Sequence, residues 1–457
     1  MPSWPSRAAV ASLAVIVAWA AVATGCSRKG PHIVSQTSQD SWPQPSALQP
    51  VLDRRAQALL HGDQGAFLAD LDPANARLVQ HEKMLFASLR QLAPVDVRFI
   101  LDRVLSVTGA ARGPGTYELS PVIEVIQLQG DAGPPRVAPG ESFVYDVARP
   151  GGKWVIVNIV ALTYAEARTR GATASGYADA PWDLTPLRVV SVGDVQLAGD
   201  STVADLEQYV AAAQDQVSQI ESLWGPRPRF PKYVLFLTRD PTAMAAWYEV
   251  SPELARREGF EHPETGVRTT GVVYSGQYVG TRVVVNLARI GEFDDDPRLV
   301  IRHELTHAVT ARQMAVYARD RGTVVTSPTW AVEGFARYVE TLASPSRAAA
   351  VRNYVATGVR QGRFDGNLPP SGTFQVGDDP TVAFNYDLSA MVFTFIQQLK
   401  GRDVAVDFYS RAVHEAETAG SPLVTQPAFD SICQAELGMS GSDFLSRWAT
   451  FVRSGAA

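Results

Sequence analysis

Cysteine is nearly absent: Cys26 and Cys433 are the two in 457 residues. Two cysteines allow one bridge at most, and none if either is otherwise used, so a disulfide-built scaffold is excluded. Histidine is also scarce, at seven. There is no excess of positive charge: Lys+Arg is 41 against Asp+Glu 47, a net of −6. That balance argues against a broad electrostatic grip on nucleic acid, so no nucleic-acid partner is expected. The 35 glycines and 30 prolines follow no three-residue period, which excludes collagen. What is present is apolar material, 46% of residues against 19% charged, enough for packed cores rather than a disordered chain. The length suggests two or three domains.

The chain begins MPSWPSRAAVASLAVIVAWAAVATGCSRKG. Residues 8–23 carry no charge. Sixteen residues are short for about 30 Å of hydrocarbon, which takes about 20, but they suit the apolar stretch of a signal peptide. Small residues follow, Ala23-Thr24-Gly25, and then Cys26. This resembles the bacterial lipoprotein signal, in which the cysteine receives lipid and becomes the new N-terminus. Ala23 stands where that signal usually has Leu. The resemblance implies removal of residues 1–25 and a chain lipid-anchored to the cell membrane at its extracytoplasmic face. The same residues also suit an ordinary signal peptide cut elsewhere, or a short uncleaved anchor. Loss of Arg7 would leave the mature chain at −6 − 1 = −7. With Cys26 lipidated, Cys433 has no partner and reads as a small buried hydrophobe. Residues 26–47 are rich in Ser, Gln and Pro and read as a flexible tether.

Beyond the tether, Leu48, Val51, Leu52, Ala56, Leu59 and Leu60 recur at helical spacing and stop at Gly62. A second helix is expected at about 75–92. Strand-like runs follow at 95–107, 122–128, 143–147 and 154–162, separated by Gly/Pro turns. Helices first and antiparallel strands after predict an α+β domain over 48–165. LDRRAQALLHGDQGAFLADLD resembles the opening helices of the cone-shaped nuclear-transport-factor-two-like domains. No catalytic cluster stands out in this part. Residues 166–186 are small and polar and read as a linker. In 187–457, strands are expected at 187–195, 233–238, 272–274 and 282–287. A long helix is expected at 203–224, and Asp240-Pro241 should open another. From Asp296 onward the pattern is helical almost to the end, with C-terminal helices at 388–400, 404–415, 429–437 and 442–453, apart from a Gly/Pro-rich loop at 362–379 that reads as a cleft rim, a lid or a surface excursion.

His303-Glu304-Leu305-Thr306-His307 carries the chemistry. Asp296 and Pro297 supply a cap and a first turn, and the helix could run to about 321. At 3.6 residues per turn His303 and His307 project from one face. Two imidazoles so placed can reach one Zn²⁺ at about 2.0–2.1 Å, with Glu304 beside them. The composition produces such a pentapeptide by chance in roughly one chain in a hundred. The alternative is a surface helix with two incidental histidines. A catalytic zinc takes three protein ligands and keeps one position open. The segment PTWAVEGFARYVE offers Glu333 in the first turns of another helix, with Gly334 suited to close packing on the metal helix.

HELTH followed by PTWAVEGFARYVE resembles the gluzincin metallopeptidases, the peptidase-MA-like group whose relatives include thermolysin. The W-x-x-E-G-x-A-x-Y pattern is matched by Trp330, Glu333, Gly334, Ala336 and Tyr338. The resemblance covers roughly 187–452. It implies a zincin-like domain that hydrolyses peptide bonds of a peptide or protein substrate. One zinc ion would be held by His303, His307 and Glu333, with Glu304 as general base. It also implies that the strand at about 281–290 pairs with an extended substrate. Thermolysin-like relatives often carry Asp four residues after the ligand Glu; here that residue is Arg337, which moves the support of a zinc histidine to another acid, Glu340 being one turn further along. Residues 385–393 resemble the group's Y-x-x-S-x-x-F helix start, with Phe393 one place late, so Tyr386 could hydrogen-bond an oxyanion. Packing under the loop is the other reading of Tyr386. Two alternatives to peptide hydrolysis stay open: a non-catalytic envelope lipoprotein acting as a binding module, and a hydrolase of non-peptide amides. The intact Glu304 argues against the first, and the residues do not separate the second.

Overall fold

A computed structural model describes residues 43–109, 115–162, 180–249, 256–292, 296–315, 318–320, 323–374, 380–418 and 420–455. The signal, Cys26 and residues 26–42 of the tether lie outside these residues. Residues 43–457 cluster as one compact unit. The chain is α+β.

The first elements are α1 (Pro45–His61), α2 (Gln64–Leu68) and α3 (Ala76–Leu92), followed by β1 (Asp96–Gly109), β2 (Thr116–Gln127), β3 (Ala138–Ala148) and β4 (Val155–Ala161). Gly62 ends α1 at φ 81°, the left-handed conformation that a residue without Cβ adopts at no steric cost. Asn75 starts α3 by accepting the Leu78 N–H at 3.2 Å. The four strands are antiparallel in a curled sheet. The space between this sheet and α1 is filled by Leu48, Leu52, Tyr145 and Trp154, with a residual cavity of about 10 Å³.

Next come α4 (Pro181–Leu184), β5 (Arg188–Val192), β6 (Val195–Gly199), α5 (Glu207–Trp224), β7 (Tyr233–Thr238) and α6 (Pro241–Ala246). Then follow β8 (Gly259–Glu264), β9 (Gly266–Val267), β10 (Val273–Tyr274), β11 (Gly280–Asn286) and α7 (Leu287–Glu292). The end of the expected linker is packed: Trp182 is buried and meets Phe236 at 5.8 Å. The single strand expected at 187–195 is a hairpin, because Gly193 at φ 56° turns β5 back onto β6.

A second sheet has the order β5-β6-β7-β11-β8. Its central pairs, β6–β7 and β7–β11, are parallel. Their residues sort by period two. Leu235, Leu237, Val283 and Val285 join the core with Val217 of α5 and with Ile301 and Leu305. Val234, Phe236 and Val284 point the other way and join Leu92, Val97 and Trp182. Both faces are covered, so these strands read as continuous apolar runs. The N-terminal layer is therefore the cover of one face of the second sheet. Two links reinforce it. Strand β9 pairs with β3, so a segment from the second half extends the first sheet. Buried Arg282 of β11 donates to both carboxylate oxygens of Asp131 at 2.7 and 2.9 Å.

The rest comprises α8 (Pro297–Thr310), β12 (Ala318–Asp320), β13 (Thr323–Val325), α9 (Thr329–Ala343), α10 (Pro345–Arg360), α11 (Pro380–Lys400), α12 (Arg402–His414), α13 (Pro427–Leu437) and α14 (Gly441–Ser454). Helix α8 stops at Thr310, well short of the expected 321. Thr306 and Thr310 bond back to carbonyls in their own helix, and Ala315 N–H is taken by Val413 O of α12 at 3.0 Å. Tertiary hydrogen bonds thus outweigh local helix propensity, and a short hairpin, β12–β13, replaces the expected helix. Helix α11 begins at Pro380, eight residues early, which puts Tyr386 inside it rather than at its start. Cys433 is free and buried, as expected. No helix among the described residues is long and apolar enough to cross a membrane.

Candidate metal centre

Asp296 caps α8 by accepting the Arg298 N–H at 2.9 Å, and Pro297 occupies the first turn. One turn apart on this helix, the His303 and His307 rings stand edge to face with centroids 4.8 Å apart. Helix α9 brings Glu333 to them. Its Oε2 lies 3.2 Å from His303 Nε2 and 3.3 Å from His307 Nε2. The three donor atoms lie within 4.8 Å of one another. Tetrahedral ligands on bonds of about 2.0–2.1 Å sit about 3.3 Å apart, so both carboxylate–imidazole separations suit a zinc ion. Gly334 serves a different neighbour from the one expected. A Cβ there would come within 2.6 Å of Ser389 Cβ on α11, so the glycine admits α11, not the metal helix.

His303 is held from behind. Its Nδ1 lies 2.6 Å from Oε1 of Glu340, which sits about two turns along α9 from Glu333. The other oxygen of Glu340 accepts from Arg337 Nη1 at 2.7 Å and from Arg347 Nε at 2.9 Å. Arg337, which departs from the thermolysin-like pattern, thus braces the acid on which His303 leans. With Nδ1 donating to Glu340, loss of the proton on Nε2 to an incoming cation would leave a lone pair facing Glu333, the tautomer a metal ligand needs. Buried His307 Nδ1 has no hydrogen-bond partner among the described residues.

The histidines and both glutamates open into a cleft of about 630 Å³. Glu304 lines it. A Cβ on Gly259 of β8 would come within 2.9 Å of Glu304 Cγ, so that strand passes close because it carries glycine there. The resemblance implies that β11 meets a substrate, but both edges of β11 are used, by β7 and by β8. The sheet's edge is β8. Glu258 O and Glu264 O accept from Asn286 and Val279 of the β11 segment, so the alternate residues Gly259, Glu261 and Pro263 turn their backbone groups toward the cleft. Tyr386 lines the opposite wall, its ring centroid 6.0 Å from that of His303. Its hydroxyl accepts from Arg257 Nη1 at 2.9 Å, and Arg257 Nη2 donates to Phe374 O at 2.6 Å. Arg257, Gly259 and Glu261 belong to no motif, and nothing in the local sequence marks them as part of a site.

Acids and arginines alternate around the cleft, and the strongest shifts gather at the three donor atoms. Burial works against charge on His303, but hydrogen bonds to Glu333 and Glu340 outweigh it and push the imidazole up to about 10. Burial likewise opposes ionisation of Glu333, yet His303 and His307 hold it well below the usual carboxylate range. Burial raises the Glu304 carboxyl, with the two histidines pulling the other way. Glu261 is pushed up to about 8, by burial first, with neighbouring acids Glu304 and Glu264 adding to it and Thr281 opposing. A proton on His303 or a divalent ion between the three donors would each satisfy this arrangement, and the two-nitrogen, one-oxygen donor set suits zinc.

No model of a known protein family matches the sequence, and no curated protein does. Among solved structures, the fold is similar to the M1 zinc metallopeptidase from Deinococcus radiodurans at 13% identity and a TM-score of 0.33. The match covers 80% of this chain and 65% of that one, so the chain spans under two thirds of the neighbour's length. At that similarity nothing about this chain's chemistry follows from the match.

Proposed function

We propose that the chain is a zinc-dependent metallopeptidase of gluzincin type. His303, His307 and Glu333 would hold one zinc ion, and Glu304 would be the general base. The observation that carries this is the position of Glu333 Oε2, 3.2 and 3.3 Å from two imidazole nitrogens contributed by another helix. When bound, the ion supplies a Lewis acid that polarises a carbonyl and lowers the pKa of water toward about 7. The remaining steps belong to the chain. Gly259 and Glu261 each offer a backbone N–H and C=O to an extended peptide, while Pro263 offers a carbonyl alone, which ends the donor ladder there. Glu304 takes a proton from water at its carboxylate and delivers it to the leaving amine. Tyr386 donates its hydroxyl proton to the oxygen on which negative charge develops. Glu340 fixes the ring of His303 throughout.

The division into a cone-like module at 48–165 and a peptidase part at 187–457, and the lipid anchor on Cys26 that would put the cleft at the extracytoplasmic face, are parts of the same proposal. They rest on the sequence. Metabolic labelling with a fatty acid, lost in Cys26→Ser, tests the anchor. The central reading is tested by metal analysis of the purified protein together with hydrolysis of a peptide library. About one zinc per chain is expected, with cleavage abolished by a chelator and restored by zinc. A protein that binds no zinc and cleaves no peptide would reject it.

A further inference from the structure

Arg257 lies two residues before the cleft-edge strand, and its guanidinium crosses to the opposite wall. Nη1 donates to the Tyr386 hydroxyl at 2.9 Å on α11. Nη2 donates to Phe374 O at 2.6 Å. The group also lies over the Tyr386 ring, 5.9 Å from its centroid, and 3.8 Å from Glu333 Oε1. Both terminal nitrogens are therefore engaged within the chain, which argues against a substrate-gripping arginine. The consequence falls on the tyrosine. A phenol oxygen carries one proton and rotates freely about its C–O bond. Once the oxygen accepts from a guanidinium, the rotor is fixed and the proton must point elsewhere, toward Glu333 or an oxygen in the cleft. Accepting a charge-assisted hydrogen bond also makes the phenol a stronger donor.

We propose that Arg257 is a positioning residue that presents the Tyr386 hydroxyl proton to the reacting oxygen of the substrate. This rests on the hydrolase reading above. Its effect should appear in turnover, since a donor aimed at developing charge acts in the transition state rather than on the bound substrate.

The test is a double-mutant cycle in the full chain. Tyr386→Phe and Arg257→Met should each lower kcat by about 10²–10³ with KM changed only a few-fold. Together they should lose no more than the worse single variant, because the arginine acts through the tyrosine. Arg257→Lys, with one donating head in place of a fork, should recover part of the loss. By calorimetry, a phosphonamidate peptide, whose tetrahedral oxyanion mimics the transition state, should bind more weakly to both single variants. Zinc content and affinity for a cleaved product peptide should stay as in the wild type. Losses that multiply in the double variant would overturn the proposal, as would an Arg257→Met protein that is fully active or has merely lost zinc. If Arg257→Met does not fold, Arg257→Lys takes its place in the cycle: non-additive losses support the proposal and multiplying losses overturn it. Absence of zinc-dependent turnover in the wild type would sink the hydrolase reading and this proposal with it, whereas multiplying losses in an active enzyme sink this proposal alone.

Discussion

Two of the buried charge clusters among the described residues differ in what occupies their centre. In the N-terminal layer Arg55 and Glu82, each 1% exposed, form an ion pair. Arg55 lies 3.8 Å over the Phe67 ring, and Tyr145 donates to Glu124 alongside. The adjacent void of about 10 Å³ barely holds one water. In the second half the acids Glu304, Glu333 and Glu340 gather with two histidines, and a cleft of about 630 Å³ opens onto them. Both regions shift pKa values: burial pushes Glu124 up to about 7, as the acids push His303 up to about 10. A perturbed titration therefore does not mark a site. The first cluster contains its own cation. The second has arginines against two of its acids but turns two imidazole nitrogens and a carboxylate oxygen toward one another, beside open space. Converging donor atoms and access separate a candidate metal centre from a buried ion pair.

The contrast can be attacked from either side. The largest effect is expected at Glu304. Glu304→Gln should keep zinc yet lower kcat by about 10²–10⁴, measured on any cleaved peptide. Full activity would remove the general base from the mechanism. In the other cluster, Glu82→Ala leaves Arg55 charged and unpaired in the core. That should cost about 3–5 kcal/mol, read by denaturant unfolding of the zinc-loaded protein, with zinc affinity unchanged. An Arg55→Met, Glu82→Leu pair should recover much of that loss, since an apolar pair removes both charges together.

A smaller effect is expected where an acid supports the centre without touching the ion. Glu340→Gln should weaken zinc binding about 10–100-fold in competition with a chelator, and should also destabilise the metal-free protein, because Arg337 and Arg347 lose their carboxylate. The smallest concerns Glu124. Its folded pKa of about 7 exceeds the ordinary 4.5, so the folded state holds the proton more tightly. This contribution to stability is fully present below about 4.5 and is lost as pH rises through about 7, with a slope of at most ~1.4 kcal/mol per pH unit. Glu124→Gln should flatten that slope in unfolding curves taken from pH 4.5 to 8. An unchanged slope would place the titration elsewhere.

Much of this was legible in the residues. Helices α1, α3 and α13 follow from apolar spacing, with Asn75 opening α3 and Gly62 and Gly438 closing α1 and α13. Strand β7 follows from the apolar run Tyr233–Leu237. Helical geometry puts His303 with His307 on one face and Glu333 with Glu340 on another, while the meeting of those two faces was implied only by the resemblance. The cleft's edge was not legible, for a physical reason. Strand β8 reads GFEHPE, with a proline and three ionisable residues, and none of its residues is exposed. Period-two patterning has nothing to show when polar groups point both ways. Arg257 was invisible for another reason: its partners, Phe374 and Tyr386, are 117 and 129 residues away. No local pattern encodes a contact at that separation. The same holds for the end of α8, which is set by Val413 rather than by its own sequence.

Strand β9, which extends the first sheet, has a consequence for how the chain is made. Residues 43–162 can form their helices and most of their ladder as soon as they are synthesised. The upper part of β3, at Ala138 and Pro139, finds its neighbour only after Gly266 and Val267 have been added, more than a hundred residues later. Until then the nascent chain presents an unpaired strand and the apolar face that Val234, Phe236 and Val284 will cover. Its two halves should therefore become resistant to a protease together rather than in turn.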